Sequence, residues 1–170
     1  LSANGSEVST LTVTNFTVGS ESAQAANKSI SVIDGNTNDK SVFNATTTKI
    51  YADGKVTIGS TKNVTANLGN VTITQYDETN AGQLIISQNT NAGSVTATYL
   101  TSAGMVTVTK GLLTVDGNVS ITDGEFTQAA TNAGVLIKSG TFNISGGDVS
   151  AGKIFEINAS TDAASNRSEE

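Results

Sequence analysis

Asp34, Asn36, Asn38 and Asp39 are the residues of this 170-residue chain whose types and spacing come closest to a piece of site chemistry. In the run Asp34-Gly35-Asn36-Thr37-Asn38-Asp39, oxygen-bearing side chains stand at alternate positions, as in the opening of a calcium loop. The glycine expected at the sixth position is Asp39, and the bidentate glutamate expected at the twelfth is Ala45. The same residues also make an ordinary polar turn, in which Asp and Asn bond back to their own backbone. These four are the candidate metal ligands, and calcium is the only cofactor they suggest.

Catalytic chemistry has less to work with. The chain contains no His and no Cys, which removes most nucleophile–base arrangements. Asp77/Glu78 and Asp123/Glu125 are the carboxylate pairs nearest in sequence, and such pairs can serve glycoside cleavage. Both sit in turn-like contexts (YDET and TDGE), and the three tyrosines, Tyr51, Tyr76 and Tyr99, form no cluster. The expectation is a protein that is not an enzyme. Ten of the seventeen asparagines open an Asn-x-Ser/Thr triplet. Strand alternation puts Asn70, Asn118 and Asn143 on an outer face, where a glycan can attach; plain Asn/Thr-rich composition is the competing explanation. Thr-x-Thr pairs at Thr12/Thr14, Thr72/Thr74, Thr96/Thr98 and Thr107/Thr109 invite comparison with ice-binding faces. Successive pairs are spaced too unevenly for one clean file, and Thr is in any case a good outer-face strand residue.

Glycine marks the elements that must hold these residues. From Ile50 onward one template recurs, glycine followed by apolar residues two and four positions later. It reads Gly54-Val56-Ile58, Gly69-Val71-Ile73, Gly82-Leu84-Ile86, Gly104-Val106-Val108, Gly111-Leu113-Val115, Gly117-Val119-Ile121 and Gly140-Phe142-Ile144. The glycine supplies a corner where φ can be positive without steric cost. The apolar pair points inward from the short strand that follows, and the Thr, Ser and Asn between them point out. Gly111, Gly117 and Gly124 recur as Gly134, Gly140 and Gly147 at one constant offset, with Leu113 over Leu136 and Ile121 over Ile144. A fixed period of this size is a repeat signature. The fold expected is all-β, a parallel β-solenoid of the right-handed β-helix kind, with about seven coils of roughly 20–24 residues. A β-sandwich or jelly roll is the alternative.

Composition agrees with a thin, stacked core. Hydrophobic residues make up 36% and aromatics 5%, too few large side chains for a thick globular interior. The net charge of −6, eight scattered lysines and a single arginine argue against nucleic acid. No apolar run approaches the ~18 residues needed to span a membrane. The chain reads as one β domain over 1–170. Residues 1–9 form an N-terminal segment, 10–157 the solenoid body and 158–170 a flexible polar tail.

Units such as GNVSI (Gly117–Ile121) and GTFNI (Gly140–Ile144), Asn- and Thr-rich outer faces and the lack of cysteine resemble the parallel β-helices of bacterial surface proteins. Those are the passenger regions of autotransporters and the filamentous-haemagglutinin-type adhesins. The resemblance runs over roughly Ile30–Ile157, is weakest before Ile50, and lies in composition and repeat logic. It implies an extracellular, cell-surface role, structural or adhesive, and points to no ligand. A stack of coils has two ends with unpaired strand edges. The expected role is therefore a non-enzymatic adhesin stalk, or a subunit of a surface layer or filament. Its partners would be further copies, through end stacking or strand addition, or cell-surface glycans and proteins. A glycan- or ice-binding module using a flat Thr/Asn face is the alternative.

Overall fold

The computed structural model describes residues 9–22, 25, 28–35, 41–90, 93–129, 131–151 and 155–157. Strands form where apolar and polar residues alternate, and the chain lays them down in successive passes. The first pass holds β1 (Thr10–Val18) and β2 (Ser29–Ile33), and the second β3 (Ser41–Ile50) and β4 (Gly54–Ile58). The third holds β5 (Val64–Asn67), β6 (Asn70–Ile73), a small hairpin of β7 (Gln75–Asp77) and β8 (Asn80–Ala81), then β9 (Gln83–Ser87). The fourth holds β10 (Ser94–Ala97), β11 (Tyr99–Ser102) and the first half of β12 (Met105–Val115). The rest of β12 opens the fifth pass, which continues through β13 (Val119–Ile121) and β14 (Glu125–Gln128). The sixth holds β15 (Ala133–Ile137), β16 (Phe142–Ile144) and β17 (Asp148–Ala151), and β18 (Phe155–Ile157) begins another.

The molecule is all-β, with no helix among the described residues, and one mainly parallel 16-stranded sheet dominates it. The pairing falls into three parallel ladders. The first runs from the start of β1 through the start of β3, β5, β10, the end of β12 and β15 to β18. The second joins the ends of β1 and β3 to β6, β11, β13 and β16. The third joins β2, β4, β9, the start of β12, β14 and β17. Each pass places one strand segment in each ladder. A sandwich or jelly roll would need antiparallel neighbours, and among the described strands only β7 and β8 pair that way.

The buried face of each ladder carries the residues the glycine template marks. Val56, Ile58, Leu84, Ile86, Val106, Val108, Leu113, Val115, Val119 and Ile121 are all at most 1% exposed. In the second ladder Ile50, Ile73 and Ile121 lie in one register column, with Ser102 set between the last two and bonded to Gly104. Phe16 packs edge-on against Phe43 near one end, with ring centroids 5.1 Å apart. Phe126 does the same against Phe142 near the other, at 6.1 Å.

Three expectations change. Passes are less uniform than the glycine repeat suggests: the step from Thr10 to its partner Val42 is far longer than that from Ser94 to its partner Leu112. The constant-offset overlay holds in the second ladder (Ile121 with Ile144) and the third (Glu125 with Asp148) but slips by one in the first, where Gly111 pairs with Ala133 and Leu113 with Val135. Asn132, in the left-handed region at φ 65°, takes the corner role that the overlay gives to Gly134. A one-residue slip exchanges the two faces of a strand, so Val135 is buried and Leu136 turns outward. Ile144, expected to be inward, keeps its register with Ile121 but is 49% exposed, because β16 closes the strand order of the sheet and nothing pairs beyond it among the described residues.

The glycines also serve a second purpose. Gly82, Gly104, Gly124 and Gly147 stack in one column at the corner between the second and third ladders. A Cβ on Gly104 would lie 2.4 Å from the Gly82 carbonyl oxygen, one on Gly124 2.2 Å from that of Gly104, and one on Gly147 2.5 Å from that of Gly124. The same carbonyls accept the N–H groups of Met105, Glu125 and Asp148. Neither Gly82 nor Gly104 has a positive φ; glycine is required there by the close approach of the pass below.

Candidate functional site

Outward residues of the second ladder form a polar face. One register column reads Asn15, Thr47, Asn70, Tyr99, and its neighbour Thr17, Lys49, Thr72, Thr101, Ser120, Asn143. Asn118 precedes β13 directly, in line with Tyr99. The three asparagines singled out as glycan acceptors are thus gathered on one face, and Asn70, Asn118 and Asn143 are all exposed. They differ in their engagements: the Asn118 side-chain oxygen accepts the Thr141 N–H at 2.9 Å and holds the next corner in place.

Tyr99 is the one large ring in the two columns and is 50% exposed. Its ring lies over Gly117 one pass later, where a Cβ would come within 2.4 Å of Cε1 and 2.7 Å of Cδ1. The missing side chain at Gly117 is what lets the ring rest against the backbone. Beside it, at the corner between the first and second ladders, runs a shallow groove of about 320 Å³ lined by Thr46, Asn67, Gly69, Thr96, Thr98 and Asp116 with two alanines. Thr98 directly precedes Tyr99, and Asp116 directly precedes Gly117.

The groove wall is a side-chain ladder. Thr96 donates its hydroxyl to the Asn67 side-chain oxygen. Asn67 in turn donates its amide to Asn44 at 2.5 Å, and Asn44 reaches Thr12 at 3.4 Å. Asp116 pairs with Lys138 at 3.0 Å, both being about half exposed. An exposed ion pair of this kind adds little stability, so Asp116 stays open to solvent-borne donors. Chemically the site offers one aromatic face, several neutral hydroxyls and amides, and one carboxylate.

The other candidates lie elsewhere. Asp34 caps the corner one pass on: its carboxylate accepts the N–H groups of Gly35, Ser60, Thr61 and Lys62 at 2.8–3.1 Å and the Thr61 hydroxyl at 2.6 Å. Partial burial pushes its pKa up, but the Thr61 hydroxyl and the backbone N–H groups of Lys62, Thr61 and Ser60 outweigh that and hold it at about 2. Its oxygens face donors, whereas a cation needs free lone pairs, so Asp34 does not fit as a calcium ligand in this arrangement. Asn36, Asn38 and Asp39 lie outside the described residues. Among the described residues no three His, Cys, Asp or Glu side chains cluster as a metal centre requires.

The carboxylate pairs are also locally engaged. Asp77 accepts bonds from Thr79 and Asn80 within its hairpin, and these hold its pKa below the usual carboxylate range. Asp123 accepts the Gln75 amide at 2.6 Å, and Glu125 the Thr127 hydroxyl at 2.7 Å. The Thr-x-Thr pairs are dispersed: Thr12 and Thr96 stand on the first ladder, Thr72 on the second and Thr107 on the third. No helix among the described residues is long and apolar enough to cross a membrane. Sequence reasoning passes over the Tyr99 platform and its groove. The available signal is Gly117 standing one pass after an exposed-phase tyrosine, which becomes visible only once the variable register is known. Comparison with protein families, curated proteins and solved structures finds no match to this chain.

Proposed function

We propose that the chain is a β-solenoid that serves as a non-enzymatic structural element of a cell surface, either a segment of an adhesin stalk or a repeating unit of a filament or layer. The observation that supports this reading is the pass-by-pass parallel pairing in three ladders, with apolar residues sealed in the middle passes and opened at the outer ones. Leu11 in the first pass is 43% exposed and Ile144 in the sixth 49%, whereas their register partners Phe43 and Ile121 are 2% and 0% exposed. Six passes at the ~4.8 Å strand spacing make a stack about 30 Å tall. That height is no more than a compact domain, so an extended structure requires stacking on further passes, from the same polypeptide or from other copies.

Two experiments test the reading. The chain has no native cysteine, so Thr72→Cys with Thr101→Cys is a clean cross-link for the parallel register of β6 and β11, whose outward residues they are. Adjacent-strand Cα spacing is within disulfide reach, and rapid oxidation with an unchanged circular dichroism spectrum is expected. Failure of that pair to oxidise would overturn the fold. Negative-stain microscopy and light scattering over a concentration series then address assembly. Fibres, or oligomers lengthening by about 30 Å per copy, support the self-assembling unit. A monomer at all concentrations restricts the reading to a stalk segment.

A further inference from the structure

Tyr99, with the corner groove beside it, has the composition of a saccharide subsite. Sugar rings present an apolar C–H face and a rim of hydroxyls. Recognition therefore combines an aromatic ring open on one side with neutral donors and acceptors, and a carboxylate can take two adjacent hydroxyls. Tyr99 supplies the open ring, held from behind by the Gly117 backbone. The exposed Thr46 and Thr98 supply hydroxyls at the groove, and Asp116 supplies the carboxylate. Asn70 and Asn118 flank the ring along the ladder, one pass to either side.

Other occupants suit the groove less well. The strands that border it, β5 and β10 on one side and β6 and β11 on the other, are paired along both edges, so an incoming peptide finds no free strand edge to join. A phosphate or sulfate would meet the Asp116 carboxylate, which repels it. The groove is shallow, so an apolar ligand gains little burial there.

We propose that this groove binds a neutral oligosaccharide, with one sugar ring stacked on Tyr99 and adjacent hydroxyls bonded to Asp116 and the groove threonines. The proposal does not rest on the stalk or filament reading, since it needs only the local register of the second to fifth passes.

The test is titration of the isotope-labelled chain with soluble oligosaccharides of glucose, N-acetylglucosamine, mannose and xylose, followed by NMR and backed by a glycan array. At least one series should shift the resonances of Tyr99, Thr98 and Asp116 together, with affinity between micromolar and millimolar. Tyr99→Ala should weaken that binding by about tenfold or more, and Tyr99→Phe should keep it, as stacking alone requires. Tyr76→Ala, at the similarly exposed tyrosine of the β7–β8 hairpin, is the control and should bind as the parent does. The three variants and the parent are compared only after their circular dichroism spectra agree. No binding by any of the oligosaccharide series or on the array overturns the proposal. So does binding that Tyr76→Ala weakens as much as Tyr99→Ala, which would mark general adherence to exposed tyrosines.

Discussion

The Gln88 carboxamide closes both hydrogen bonds of the Val64 backbone: its oxygen accepts the Val64 N–H at 3.0 Å and its nitrogen donates to the Val64 carbonyl at 2.9 Å. A side chain thus does what a neighbouring strand does elsewhere in the ladder. Gln88 is 1% exposed, at the corner where the third ladder hands the chain back to the first. Gly59, Gly93 and Gly111 wall it in, each so close that a Cβ would fall within 2.4–2.7 Å of the Gln88 side chain. Replacing Gln88 with Leu keeps the volume but strands a buried N–H and a buried C=O. Each uncompensated group costs about 1–3 kcal/mol, so Gln88→Leu should destabilise by about 2–5 kcal/mol in chemical denaturation.

Gln128 provides the internal control. It ends β14 just before the same corner two passes on and is 3% exposed, but among the described residues its side chain makes a single bond, to the Ala133 carbonyl at 2.9 Å, and its own oxygen has no partner. Leucine there removes one modest bond and one unsatisfied acceptor together. Gln128→Leu should change stability by less than about 1 kcal/mol. Equal losses at Gln88 and Gln128 would show that the Val64 bonds carry no special weight.

Asp34 makes the stability of the second corner depend on pH. Its folded-state pKa of about 2 lies below the ordinary 3.8. A depressed carboxylate contributes stability that is complete above about pH 4 and is lost as the pH falls from there to about 2. The group is partly open to solvent, so screening reduces the contribution to about 1 kcal/mol. Asp34→Asn should therefore be less stable than the parent by about that amount at pH 7, and the difference should shrink towards zero at pH 2. Unfolding curves for both proteins at the two pH values measure it, and a gap that does not change would refute the capping role.

The glycine template illustrates what a sequence can and cannot reveal in a fold of this kind. Alternation around Gly54, Gly82 and Gly104 locates strands and their buried faces correctly, because burial of Val, Ile and Leu on one side is a local, period-2 property. The role of the glycines is only half legible. At Gly124 a positive φ is indeed required, but at Gly104 the constraint comes from the Gly82 carbonyl one pass earlier, which no local pattern encodes. Register is harder still. In the sixth pass β15 alone is displaced by one position, with Asn132 in the left-handed region at the corner before it, and Leu136 turns outward. The Tyr99 groove depends on successive passes being stacked in that register, so it too is hidden from the sequence.

Substitution of the column glycines separates close approach from backbone freedom. Gly104→Ala would place a methyl 2.4 Å from the Gly82 oxygen and 2.8 Å from Ile73 Cγ2, where backbone would have to yield. A loss of about 2–4 kcal/mol is expected. Gly134, although it belongs to the same sequence repeat, would meet only Leu112 Cδ1 at 3.1 Å. Gly134→Ala should lie within about 1 kcal/mol of the parent, on whichever side the Leu112 adjustment and the stiffer unfolded chain decide. Thermal unfolding of the two variants ranks them directly.

Ile121 and Ile144 share a register column and a chemical identity, and differ in what covers them. Ile121 is 0% exposed between Ser102 and Ile144, whereas Ile144 is 49% exposed on the last strand of its ladder. An unpaired charge in the sealed middle of the stack has no partner and no water, so Ile121→Asp should prevent folding. At Ile144 the carboxylate reaches solvent, and Ile144→Asp should fold with a loss of about 1–2 kcal/mol from reduced apolar burial. Thr107→Asp, on the outward face of the third ladder, should fold almost unchanged. If copies stack through this end, Ile144→Asp carries a second consequence: it places a charge in the contact between copies. The variant should then stay monomeric at concentrations where the parent assembles, while its circular dichroism spectrum remains that of the parent. Loss of assembly without loss of fold locates the contact at β16; assembly that survives the charge locates it elsewhere.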